Sequence, residues 1–227
     1  MPEHTFDVVS ARERIPGVLW TPDGPGPFPV ILAGHGFTLH KKALYPQALV
    51  ADLTARGFAV AAIDAPGHGD RSPTTGDDTA AVDRAWRAHW REHGAVVIAA
   101  EYRLLLDSLI ARPDIDGSRI GWWGLSLATQ YGIGVIAAEP RIRAAVLGLS
   151  ALPDPAPRIA AYAESVRCPV FFIQQLDDEV AIPDRCRALY DRLASPDKTL
   201  AANPGSHTAV PRSVFDQGYA FLEHHLE

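Results

Sequence analysis

Five short stretches constrain this chain more than anything else in it: Phe28 to Ala33, Phe58 to Ile63, Ile120 to Trp123, Ala144 to Leu149 and Val170 to Gln175. Each is apolar almost throughout instead of alternating with polar residues. A strand with one face in water alternates, whereas a continuous apolar strand must be covered on both sides. Helix-length segments lie between these runs. Lys41 to Arg56 has Leu49 and Leu53 one turn apart and is closed by Gly57. Ala95 to Ala111 puts Ile98, Tyr102, Leu105 and Leu109 on one face, and Asp184 to Leu193 and Val214 to Leu226 read as amphipathic helices. Thr5 to Val9 and Ile15 to Trp20 read as a hairpin, stopped by the turn cluster Thr21-Pro22-Asp23-Gly24-Pro25-Gly26-Pro27. The alternation predicts an α/β fold: a doubly wound, mostly parallel sheet with helices on both faces.

The 227 residues fit one domain over 1–227, long enough to bury a sizeable core. One connection is too long for a crossover helix, that from Asp64 to Arg119. Its surplus, about 71–94, reads as an insertion carrying Trp86, His89, Trp90 and His93. It starts near the carboxyl end of a strand, where ligand sites of such sheets lie, so it is expected to act as a lid. A net charge of -6 argues against nucleic acid or an anionic membrane as partner. No apolar run has the length of a membrane span, and Met1-Pro2-Glu3-His4 lacks the build of a signal peptide. Cys168 and Cys186 read as free thiols of a reducing, cytoplasmic compartment, with a disulfide between them left open. Oligomeric state is also open, a homo-oligomer included.

The stretch with the most chemistry is Arg119 to Thr129. The apolar run ends at Trp123 and turns through Gly124-Leu125-Ser126 into helical composition. A serine on such a sharp strand-to-helix turn projects its hydroxyl above the sheet edge, as in a nucleophile elbow. The pattern here is Gly-x-Ser-x-Ala, with Ala128 in the place of the last glycine. Alone it also suits a plain helix-capping serine. A nucleophilic serine needs a base to take its proton and a carboxylate to orient that base. The strand Val170 to Gln175 runs into Leu176-Asp177-Asp178-Glu179-Val180, and Asn203-Pro204-Gly205-Ser206-His207 puts a histidine in a turn before the last helix. Ser126, Asp178 and His207 thus follow one another as nucleophile, acid and base, with Asp177 the rival acid.

Taken together the motifs resemble the α/β-hydrolase superfamily, and within it the small esterase and dienelactone-hydrolase-like members. The matching pieces are Gly34-His35-Gly36-Phe37, Asp64-Ala65-Pro66-Gly67-His68-Gly69, Gly124-Leu125-Ser126-Leu127-Ala128, Leu176-Asp177-Asp178-Glu179-Val180 and Gly205-Ser206-His207. They cover about residues 15–227. The departures are Ala128 and Gln175, where many relatives have glycine.

The resemblance implies a hydrolase that cleaves a carboxylic ester through an acyl-serine intermediate. Ser126 would attack, His207 would carry the proton, and Asp178 would hold the His207 tautomer. The backbone N–H groups of Phe37 and Leu127 would form the oxyanion hole. No cofactor and no metal are expected, and the partner would be a small ester-like molecule. Trp86 and Trp90 are expected at the mouth of the pocket above Ser126, the body of the domain or a partner subunit being the other places for them. His35 and His68 read as loop histidines that bond to backbone. His89 and His93 read as a solvated helix face, and Trp122 and Trp123 as core. The same scaffold also serves lactones, thioesters, amides and carbon–carbon bonds, and a non-catalytic binding protein is a further reading.

Overall fold

The computed structural model describes residues 1–10, 13–73, 78–153, 155 and 157–227. The strands are β1 (Glu3–Val9), β2 (Arg14–Trp20), β3 (Phe28–Ala33), β4 (Ala59–Ile63), β5 (Ile115–Trp123), β6 (Ile142–Gly148), β7 (Val170–Gln175) and β8 (Lys198–Asn203). They form one sheet in the order β1-β2-β4-β3-β5-β6-β7-β8. The hairpin β1–β2 is antiparallel and joins β4 antiparallel. From β4 onward every pairing is parallel. The helices are α1 (Leu49–Ala55), α2 (Thr79–His93), α3 (Val96–Ile110), α4 (Leu127–Ala138), α5 (Pro157–Ala163), α6 (Pro183–Arg192) and α7 (Arg212–Leu226).

The apolar strands explain the layers. Successive side chains point to opposite faces, so neighbours in sequence enter different cores. Leu32 and Trp122 join Tyr102, Leu105 and Tyr131 on one side. Ile31 and Trp123 join Leu49, Leu53, Tyr219 and Leu222 on the other. Trp122 meets Tyr102 edge-on at 4.9 Å between ring centres, and Trp123 stacks on Tyr219 at 5.0 Å. Burying such a side chain stabilises the fold by roughly 1.5–3 kcal/mol. The core reading of both tryptophans therefore holds.

Three details differ from the sequence reading. The helix expected over 41–56 begins only at Leu49. Lys41 sends its backbone N–H and its amine to Asp64, and the carbonyl of Tyr45 accepts from the Trp123 indole, so this segment is tied down as loop. Strand β8 and helix α5 were not expected. The surplus segment forms α2, started by the Asp78 side chain accepting from the Ala81 N–H at 3.0 Å. Part of that segment, 74–77, lies outside the described residues. Both cysteines are free, and burial pushes the Cys168 and Cys186 thiols up to about 12 and 11. No helix among the described residues is long and apolar enough to cross a membrane.

After β3 the chain adds β4 on one side and then returns past β3 to place β5 on the other. Such a reversal opens a crevice at the carboxyl ends of the strands. The loops after β3, β5, β7 and β8 all emerge at that end.

Candidate active site

Ser126 sits between the end of β5 and the first turn of α4, with φ 58° and ψ -119°. Non-glycine residues rarely adopt this backbone, and it stores about 1–3 kcal/mol of strain. Close packing keeps the turn tight. A Cβ added at Gly124 would lie 2.6 Å from the Trp122 indole nitrogen and 3.0 Å from the Ala128 methyl. One added at Gly34 would lie 2.7 Å from that same methyl. The methyl of Ala128, the departure at the end of the elbow pattern, thus fits because two glycines face it.

The backbone N–H of Ser126 donates to Gly148 O at 2.9 Å. Thr129, one turn into α4, braces the same region. Its hydroxyl accepts from the Gly148 N–H at 2.8 Å and lies 2.8 Å from Gly124 O and 2.7 Å from Gly148 O. Sequence reasoning missed this residue. The signal was a small hydroxyl residue three positions after the serine in a largely apolar helix.

Ser126 Oγ lies 3.0 Å from Nε2 of His207. On the other edge of the ring, Nδ1 lies 2.8 Å from Oδ2 and 3.0 Å from Oδ1 of Asp178. An ionised carboxylate only accepts, so Nδ1 carries the proton and Nε2 is left to accept from the serine hydroxyl. The Asp178 side chain is 1% exposed and that of His207 13%. Oδ1 of Asp178 also accepts from the N–H groups of Val180 and Ala181, at 2.8 and 2.7 Å. Asp177 faces elsewhere and accepts from the Gly205 N–H at 2.8 Å. The rival acid is therefore a turn-forming residue. The second departure also finds a partner: Gln175 Nε2 donates to Ser206 O at 3.3 Å, under the turn that carries His207. Gly205 is required there, because its φ is +122° and a Cβ would sit 2.8 Å from that amide.

The loop after β3 lies across from the elbow. His35 is fully buried, its Nδ1–H donates to Gly36 O and its Nε2 accepts from the Ala65 N–H, both at 2.9 Å. Burial, with His68 beside it, lowers its pKa to about 4, so the ring is neutral. His68 likewise donates to Pro66 O at 3.0 Å. Both histidines are turn-shaping, as expected. Lys41 anchors the two loops by donating to Asp64 at 2.6 Å and Asp70 at 2.7 Å. Among the described residues, the backbone N–H groups of Phe37 and Leu127 meet no protein acceptor. His89 is half-buried, and burial together with His93 lowers its pKa to about 4. The fully solvated face expected for it is corrected accordingly. No three His, Cys, Asp or Glu side chains cluster around a metal-sized space among the described residues.

Residues 30–222 match the alpha/beta hydrolase family. The chain belongs to that family. Among solved structures it is similar to a cold-adapted esterase from an Arctic intertidal metagenomic library, in a complex with polyethylene glycol. The identity is 33% over 99% of this chain and 94% of that one, with a TM-score of 0.86. The 2,6-dihydroxy-pseudo-oxynicotine hydrolase shares the fold at 19% identity and TM-score 0.75, covering 99% of this chain and 68% of that one. Acetyl xylan esterase 1 from Thermoanaerobacterium does so at 20% identity and TM-score 0.70, over 94% and 80%. No curated protein matches the chain.

In this family member a cavity of about 810 Å³ opens above Ser126, walled by Phe37, Trp86, Trp90, Leu127, Ile159 and Val180. Helix α2 forms one wall and packs on the body of the fold. Trp86 is 5% exposed, stacks on Trp90 at 5.5 Å and meets Tyr131 edge-on at 5.9 Å. Two of the three places expected for the tryptophans, the pocket mouth and the body of the domain, are thus one place: Trp86 belongs to the core and to the cavity wall, and half-buried Trp90 lies beside it.

Proposed function

We propose that the protein is a serine hydrolase that cleaves a carboxylic ester of a small molecule through an acyl-serine intermediate. The observation that carries this reading is the unbroken hydrogen-bond series from Asp178 through His207 to the Ser126 hydroxyl, opening into the cavity. The likeness to a cold-adapted esterase at 33% identity supports the choice of ester over other acyl compounds.

The steps follow from the positions. His207 Nε2 takes the proton as Ser126 Oγ bonds to the acyl carbon. The imidazolium that forms is stabilised by Asp178, which also keeps the ring in register. Negative charge moves onto the former carbonyl oxygen, and the N–H groups of Phe37 and Leu127 receive it. Such donors typically contribute about 3 kcal/mol each to lowering the barrier. The tetrahedral species collapses, the bond to the alcohol oxygen breaks, and His207 returns its proton to that oxygen. Water then repeats the sequence on the acyl-serine, releasing the acid and free serine. The two free thiols support a reducing, cytoplasmic setting.

A panel of p-nitrophenyl esters, aryl thioesters and aminoacyl anilides tests the reading. Esters should be turned over fastest, and Ser126→Ala should lower kcat by about 10⁴-fold or more. A variant that keeps a tenth of the wild-type rate would remove Ser126 from the mechanism, and a preference for the anilides would replace ester by amide.

A further inference from the structure

Helix α2 turns a graded face to the cavity above Ser126. The residues it contributes to the wall are Asp83, Arg84, Trp86, Arg87, Trp90 and Arg91. At about 100° per residue they occupy an arc of about 160°. The order around that arc is Trp86, Trp90, Asp83, Arg87, Arg91, Arg84. The apolar edge is buried against the body of the fold and the basic edge is exposed at the rim. One cavity therefore has an aromatic wall that passes into a row of guanidinium groups.

Two of the three charges on this row have no carboxylate partner among the described residues. Arg87 is held by Asp83, with Nε 2.7 and 2.8 Å from its two oxygens. Neither Arg84 nor Arg91 meets a carboxylate among the described residues. Several arginines elsewhere are paired with carboxylates: Arg71 with Glu13 and Glu101, Arg112 with Asp114, Arg141 with Asp107 and Glu139, and Arg212 with Asp52 and Asp216. A fourth guanidinium, that of Arg158, lies at the carboxyl end of α2 and donates to Trp90 O and Arg91 O at 3.1 Å. This concentration of positive charge stands in a protein whose net charge is -6. A guanidinium offers a planar fork that matches a carboxylate, whereas a neutral alkyl end gains nothing from it.

We infer that the substrate is an ester carrying a second, anionic group, a carboxylate remote from the ester bond, with its apolar middle on Trp86 and Trp90 and its carboxylate at Arg84 and Arg91. This rests on the hydrolase reading above and names the substrate class for the same site. Because the arginines are exposed, the selectivity is moderate and salt-sensitive, since charges are screened over about 10 Å at 0.1 M salt.

Two matched pairs of esters test it. p-Nitrophenyl hexanoate and the mono-p-nitrophenyl ester of hexanedioic acid differ only at the acyl chain end. Phenyl hexanoate and 4-carboxyphenyl hexanoate place the charge on the alcohol. In at least one pair, kcat/KM for the anionic ester should exceed that of the neutral one by about 3- to 10-fold at low salt. That ratio should shrink toward unity as salt rises, and it should collapse in Arg84→Gln/Arg91→Gln. Neutral esters preferred in both pairs, or a ratio indifferent to the double substitution, would overturn the inference. A binding measurement separates this from the hydrolase reading. In Ser126→Ala, monomethyl hexanedioate should quench tryptophan fluorescence at several-fold lower concentration than the dimethyl ester, and the advantage should vanish in the triple variant. If no ester is turned over yet the monoanion binds preferentially, the hydrolase reading fails, and with it the ester as substrate, while the carboxylate site at Arg84 and Arg91 stands. Equal binding of the two compounds sinks this one whatever the turnover.

Discussion

Asp178 presents both carboxylate oxygens to Nδ1 of His207, at 2.8 and 3.0 Å, while Asp177 beside it turns away to the backbone of Gly205. Adjacent residues in one turn point to different tasks. Asp178→Asn should lower kcat by about 10⁴-fold, because an amide no longer holds the imidazole in the accepting tautomer. Asp177→Asn keeps an oxygen that can accept from Gly205 and should remain within about tenfold of wild type, with about 1 kcal/mol of stability lost. Steady-state rates on one p-nitrophenyl ester check the ranking, and the reverse order would exchange the two roles.

Thr129 is the residue whose removal should separate stability from chemistry. Thr129→Val keeps the shape and takes away the oxygen that accepts from Gly148 N–H at 2.8 Å. That buried donor is then unpaired, which costs about 1–3 kcal/mol. The brace on the turn carrying Ser126 also loosens, so kcat should fall several-fold with KM nearly unchanged. Thermal melting and steady-state kinetics read the two effects. A variant with wild-type melting temperature and wild-type kcat would show the brace to be idle.

Stability should decline in mild acid. Burial lowers the pKa of His35 and His89 from 6.5 to about 4, and that of His68 also falls. As pH drops below 6.5 the unfolded chain takes up protons that the native rings refuse. Native stability is therefore fully present above about pH 6.5 and is lost progressively toward pH 4. Each unit of depression corresponds to about 1.4 kcal/mol, so fully buried His35 alone should make urea unfolding show a loss of roughly 2 kcal/mol between about pH 7.5 and pH 5, with half-exposed His89 adding less because solvent screens it. His35→Gln should make that dependence shallower. A flat profile would mean that the buried rings are not held neutral.

Much of the fold was legible because its constraint is local. Strands such as Val30 to Ala33 and Ala59 to Ile63 are buried on both faces, and a run of apolar residues says so directly. The elbow was legible because Gly124, Ser126 and Ala128 stand two apart. Strand β8 was not, since Lys198 to Asn203 is a half-exposed edge strand whose apolar run is only Leu200-Ala201-Ala202. The loop over 41–48 was misread as helix because what prevents helix is distant: Lys41 is fixed by Asp64 and Asp70, 23 and 29 residues on. The order Ser126, Asp178, His207 could be read along the chain, while the hydrogen bonds that join them needed three dimensions. The choice between Asp177 and Asp178 lay in the direction of a turn, and the brace from Thr129 lay in the approach of β6 to α4. The insertion was recognised from chain length alone, whereas its packing on Tyr131 needed three dimensions.

A fluorophosphonate probe reacts only with a serine made nucleophilic by its neighbours. After incubation with the intact protein, peptide mapping should find one adduct per chain, on Ser126. Labelling should be absent in Ser126→Ala and slowed by orders of magnitude in His207→Gln. An adduct on another residue, or no adduct in a preparation that still hydrolyses esters, would contradict the acyl-serine mechanism.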